Sequence, residues 1–203
     1  VGSGPKYRQG SDLWMIPLEC GLIMEALTDQ GRSLMQDLGV AATKQLIEEA
    51  LEVEKRFAAR HASTPDLTQN LQAFRDRFSD GRYWEDIAAK CINCGICTYL
   101  CPTCYCFTIN DEAKGLEGER FRSWDSCMFA HYTLEASGHN PRPSKVDRYR
   151  NRVGHKCSYF PERYNGTISC CGCGRCIRSC PVSLDIREAV VRLAKDDPDA
   201  CPT

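Results

Sequence analysis

This sequence lacks several features, and each absence removes a class of function. No long apolar run is present, so a membrane-spanning helix is not expected, and no basic-then-apolar leader marks the chain for secretion. The 26 Lys and Arg nearly balance the 27 Asp and Glu, leaving a formal charge of -1 without the strongly basic character of a nucleic-acid binder. No G-x-G-x-x-G follows a strand to suggest a dinucleotide site, and no nucleophile with a neighbouring base can be picked out. The chain opens at Val1 rather than at methionine, with Gly2, Ser3 and Gly4 reading as a loop or a processed end, and an upstream region is expected.

What the sequence has in excess is cysteine, 15 residues of it. Without a leader, that number argues for a reducing cytoplasm and for metal ligation rather than disulfides. Eight of them form two copies of C-x2-C-x2-C-x3-C-P: Cys91, Cys94, Cys97 and Cys101 before Pro102, and Cys170, Cys173, Cys176 and Cys180 before Pro181. Three thiolates two residues apart on a tight loop can face one iron-sulfur cube, while the fourth leaves on a short helix and in two-cluster ferredoxins ligates the other cluster. The expected ligand sets are therefore Cys91, Cys94, Cys97 and Cys180 for one 4Fe-4S cluster, and Cys170, Cys173, Cys176 and Cys101 for a second. Gly95, Gly172 and Gly174 suit loops that need positive φ and have no room for side chains. Zinc sites use two separated cysteine pairs, not three evenly spaced thiols and a fourth before proline. Each cluster is anionic once its thiolates are counted, so the loaded protein is more acidic than its sequence.

The remaining chain reads as α+β: a helical N-terminal segment over 1–81, then an expanded two-cluster ferredoxin-like domain over 82–203 with an insertion at 107–169. Leu13 to Ile16 and Gly21 to Met24 suggest short strands broken by Pro17, with Cys20 as a small buried apolar residue. Leu46, Ala50, Val53 and Phe57 form the stripe of an amphipathic helix starting near Thr43, and Leu67, Leu71, Phe74 and Phe78 form another after Pro65 and Asp66 that stops at Asp80-Gly81. A short helix with Tyr83, Trp84 and Ile87 leads into Cys91, its aromatics excluding water from the clusters. Phe107 to Ile109 and Arg120 to Trp124 predict a hairpin, 126–137 a helix ending at Gly138, and Ser144 caps a helix to about 153. Ser183 or Asp185 caps a final helix carrying Ile186, Ala189, Val190 and Leu193.

Seven basic residues (Arg142, Lys145, Arg148, Arg150, Arg152, Lys156 and Arg163) stand against Asp147 and Glu162. A solvated helix face, compensation of cluster charge and a docking surface for an acidic redox partner all fit this bias, nucleic acid much less well. Cys104, Cys106 and Cys127 are candidates for a third cluster or for tuning the two by S–H contacts, with no fourth thiol in view, while Cys157, Cys171 and Cys201 read as incidental.

These residues resemble the four-iron dicluster subunits typified by the beta subunit of cytosolic sulfhydrogenases and the A subunit of anaerobic sulfite reductase. The resemblance rests on Cys91 to Phe107 (CINCGICTYLCPTCYCF), Arg122 to Met128 (RSWDSCM), Gly138-His139-Asn140, His155-Lys156, Tyr159 to Glu162, and Cys170 to Pro181. Residues 11–90 resemble the family less sharply, as the end of a truncated domain. The resemblance implies electron transfer between a flavoprotein that oxidises a nicotinamide cofactor and a catalytic subunit of hydrogenase or sulfite-reductase type, without catalysis by this chain alone. An iron-sulfur linker or assembly subunit is the alternative. A siroheme reductase is a weaker one: Cys91 with Cys97 and Cys176 with Cys180 match its C-x5-C and C-x3-C spacing, but Cys94 and the rest of the second run have no place in it.

Overall fold

The computed structural model describes residues 8–36, 38, 40–62 and 67–195, so Pro65, Asp66 and Cys201 lie outside the described residues. These residues fall into two compact units divided near residue 65. The sequence placed the division at 81/82. The helical turns that follow residue 67 belong instead with the cysteine-rich unit, because Leu67, Leu71 and Phe74 are buried in the core formed by the last helix.

In the first unit, strands β1 (Leu13–Leu18) and β2 (Gly21–Ala26) pair antiparallel with Ile16 opposite Ile23, followed by α1 (Asp29–Met35) and α2 (Lys44–His61). Pro17 lies inside β1 rather than breaking it, as a two-stranded ribbon allows because each strand has a free edge. Thr43 caps α2 by accepting from the Leu46 amide, and α2 buries Ala50 and Val53 against Ile16. Phe57, read as part of that stripe, is exposed, as is Cys20 at the hairpin turn, so neither is a core residue. The buried Glu54 is satisfied on one oxygen by Trp14 Nε1 at 3.0 Å and Arg8 at 2.8 Å.

The second unit is built on aromatic residues. A 3-10 turn at Leu67–Asn70 leads into α3 (Leu71–Asp76), and Asp80, expected only to end that helix, caps α4 (Gly81–Ile87) by accepting from the Tyr83 amide. Phe74 and Trp84 are fully buried, with Phe78 edge-on to both. Trp84 Nε1 donates to the Phe78 carbonyl at 2.8 Å, removing the cost of burying the indole N–H. α9 (Ile186–Lys195) closes this core with Ile186, Ala189, Val190 and Leu193, and Tyr83 donates to the Ala189 carbonyl at 2.7 Å. Among the described residues no helix is long and apolar enough to cross a membrane.

The segment between the cysteine runs holds the antiparallel hairpin β3 (Phe107–Lys114) and β4 (Glu117–Trp124), a chain of turns, and a broken helix. The helix expected at 126–137 is reduced to a 3-10 turn at Ala130–Thr133. Side chains intercept its first backbone donors: Asp125 accepts from the Ser126 amide at 2.6 Å and Ser126 Oγ from the Met128 amide at 3.1 Å, which offers the backbone a turn in place of a helix. Ser144 and Asp147 form a reciprocal capping box at the start of α6 (Lys145–Gly154), whose bond to Ser144 holds the Asp147 carboxyl below its ordinary pKa. The helix does not stop near 153 but runs on through a π-helical turn at His155–Tyr159 and a last turn, α7 (Phe160–Arg163).

Candidate iron-sulfur centre

The two cysteine loops have matched backbones. In the first, Asn93 and Gly95 lie at φ 57° and 75°; in the second, Gly172 and Gly174 both lie at 70°. Each loop ends in a single helical turn, α5 (Ile96–Tyr99) or α8 (Arg175–Arg178), headed by its left-handed glycine, and α5 and α8 pack together. Cys101 and Cys180 follow these turns. At Gly95 a Cβ would stand 2.8 Å from the Phe129 ring as well as in a left-handed conformation. Gly95→Ala should therefore lower stability by about 1–2 kcal/mol from backbone strain alone, and reduce bound iron. Iron content per chain and thermal unfolding measure this, and a variant equal to the parent in both would show that the loop yields freely.

Cys91, Cys94, Cys97 and Cys180 line one cavity, with Cys176 also at its wall and Met128 and Leu184 supplying apolar cover. Cys101 does not line that cavity; two residues on, Thr103 donates to the Ser169 carbonyl at 3.1 Å, beside Cys170, and the Cys176 thiol feels both Cys170 and Cys101. Within each loop the middle cysteine, Cys94 or Cys173, is exposed, while the outer two are partly buried. All described cysteines are free thiols, and among the described residues no three Cys, His, Asp or Glu side chains gather at the spacing of a single metal ion. Thiols set around a common space suit the corners of an iron-sulfur cube.

Two further observations fit a cluster in the first cavity. Tyr149 and Arg152 line it, and the Tyr149 hydroxyl and Arg152 Nε are both buried without a hydrogen-bond partner. Buried donors left unpaired cost about 1–3 kcal/mol each, and cluster sulfides are acceptors that would relieve them.

The basic stretch resolves into two populations. Arg148, Arg152 and Lys156, four residues apart, are all buried, and only the flanking members stay partly or fully open. Arg148 donates to the Arg142 and Pro143 carbonyls at 3.0 and 2.8 Å, tying down the loop before α6. Burial opposes the charge on Arg152, but Cys97 and Cys176, one from each run, outweigh it and raise its pKa. Burial likewise opposes Lys156, and Cys104 and Cys101 raise it; its Nζ bridges Thr103 Oγ1 and the Ser169 carbonyl, both at 2.9 Å. Arg148 and Arg152 are thus unavailable to an acidic docking partner, and of the readings open in the sequence, compensation of cluster charge fits the buried pair Arg152 and Lys156. Their i, i+4 spacing was the sequence signal for a single inward stripe.

A model of the 4Fe-4S dicluster family matches residues 90–184, from just before Cys91 to just after Cys180. Residues 90–184 are a 4Fe-4S dicluster domain. Such a domain implies two 4Fe-4S clusters, and the two runs supply eight thiols for them. The chain is also similar to the sulfhydrogenase 2 subunit beta of Pyrococcus furiosus, with 32% identity over 183 residues. That match takes in 87% of this chain and 53% of the relative, so the chain spans about half the length of the curated relative it matches. No solved structure matches the chain.

The third group of cysteines is also gathered. Cys104, Cys106 and Cys127 line a separate cavity of about 470 Å³ beside the dicluster loops.

Proposed function

We propose that this chain relays single electrons through two 4Fe-4S clusters, one held by Cys91, Cys94, Cys97 and Cys180 and the other by Cys170, Cys173, Cys176 and Cys101. The observation that carries the reading is the symmetry of exposure. Each thiol set presents one member to solvent, Cys94 or Cys173, while Cys97 and Cys176 flank the buried guanidinium of Arg152 between the sets. That arrangement gives an entry, a shared interior and an exit. The interior cations lower the cost of adding an electron to an already anionic cluster, and the apolar cover raises the strength of that interaction by excluding water.

The relative's name as a sulfhydrogenase subunit supports a place in a multi-subunit oxidoreductase. In that setting the donor is a flavoprotein that oxidises a nicotinamide cofactor, and the acceptor a catalytic subunit of hydrogenase or sulfite-reductase type; the chain works in the cytoplasm and does no chemistry alone.

A potentiometric titration of the anaerobically purified chain, followed by electron paramagnetic resonance, tests the relay. From these two clusters, two reversible one-electron transitions are expected within the range of about -700 to +450 mV open to them. Clusters that resist reversible reduction across it would make them structural and the chain a linker. Subunits that copurify under the same conditions identify donor and acceptor.

A further inference from the structure

We propose that Cys104, Cys106 and Cys127 hold a third iron-sulfur cluster, with the His155 imidazole as its fourth ligand. The three thiols and His155 line the same cavity of about 470 Å³, which also takes in Arg142, Arg152 and Lys156. The sequence showed three cysteines without a fourth partner. The fourth is not a cysteine, and it comes from the π-helical turn almost thirty residues beyond Cys127. Single π turns of this kind recur where a helix must redirect side chains into a site.

The hairpin accounts for how the thiols meet. Cys106 immediately precedes β3 and Cys127 lies just beyond β4; Phe107 pairs with Trp124, and the Asp125 amide donates to the Cys106 carbonyl at 3.0 Å. Closing the hairpin thus brings two cysteines 21 positions apart to one end of the ribbon, and Cys104 joins them from the loop that leaves the first run. A hairpin that served only as an insertion would have no reason to clamp thiols at its base.

Charge and space point the same way. Arg152 and Lys156 are buried cations at this wall, and Arg152 also lines the first cluster cavity, where its Nε finds no partner. A thiolate-ligated cluster is anionic and compensates buried positive charge that water cannot reach.

The position suits a relay. Ser126 Oγ and Thr98 Oγ1 are hydrogen-bonded at 2.7 Å, fixing the 125–128 turn to the first cysteine loop, and in that turn Met128 lines the first cluster cavity while Cys127 lines the third. A cluster here would accept one electron from its neighbour and pass one on, with no bond made or broken. Tyr105 and Phe107, both exposed at the base of the hairpin, also line the cavity.

The test is the iron and acid-labile sulfide content of the anaerobically purified full chain and of its Cys106→Ala/Cys127→Ala double variant. The parent should hold about twelve irons with matching sulfide, and the variant about eight, a loss of one third with the two ferredoxin-type resonance signals intact. A parent that holds about eight irons and a variant that holds the same would overturn the proposal, as would extra metal that is zinc or iron without matching sulfide. Should the variant fail to fold, the parent's count and its number of distinct resonance signals decide. Loss of the first eight irons in the parent would count against the dicluster reading instead, so the two failures are distinguishable.

Discussion

Cys180→Ala will damage the cluster bound by the first loop, not the one bound by its own. Cys180 follows α8, on the run that begins at Cys170, yet it lines the cavity formed by Cys91, Cys94 and Cys97. A cube that loses one of four ligands converts to a three-iron form or falls apart. Because the clasp joins segments about 80 residues apart in sequence, its loss should also loosen the fold, as happens whenever metal binding and folding are coupled. Cys101→Ala should do the converse to the second cluster. Electron paramagnetic resonance with potentials to separate the two signals reads the outcome. If Cys180→Ala alters only the signal that Cys173→Ala abolishes, ligation is local to each run and the crossed assignment fails.

The second large effect belongs to Arg152. Its buried guanidinium faces Cys97 of one set and Cys176 of the other, so both clusters should feel its charge. Replacing Arg152 by Met keeps the bulk and removes the cation. The reduced cluster carries one more negative charge than the oxidised one, so the loss of a nearby positive charge disfavours reduction and both potentials should fall. At an effective dielectric of about 20 and roughly 7 Å, a unit charge contributes about 2 kcal/mol, on the order of 100 mV for a one-electron couple. The iron-free protein should respond with the opposite sign: without the anionic clusters Arg152 is a poorly compensated buried charge, and its removal should make that form harder to unfold. Arg163→Met, at an exposed position on the same helical run, serves as the control and should change neither. Potentials that stay within experimental scatter of the parent would reduce Arg152 to a packing residue.

These two residues also mark the limits of what the sequence disclosed. The shape of the two cysteine loops was legible because close thiol spacing is a local constraint, set by backbone geometry within seven residues, and Gly95, Gly172 and Gly174 take the left-handed conformations expected of them. The hairpin at 107–124, the Ser144 cap and the stripe of α9 were legible for the same reason, since alternation, capping and helical period act over a few residues.

What the sequence left open was which charged groups are buried, and what it misjudged were segments whose side chains compete with the backbone. The helix expected over 126–137 lost to Asp125 and Ser126, and the boundary at 81/82 moved because Phe74 packs against a helix more than a hundred residues later. By itself the sequence determined that two ferredoxin-type cysteine runs exist and what local shape each must take. Only the tertiary structure decided that Cys106 and Cys127 meet at the foot of a hairpin, and that Arg152 and Lys156 point inward. A charged side chain is exposed by default and turns inward only when folding brings opposite charge to it. Here that charge comes from cysteines far away in sequence, so the i, i+4 spacing around residue 152 marks a shared face of the helix but not what that face meets.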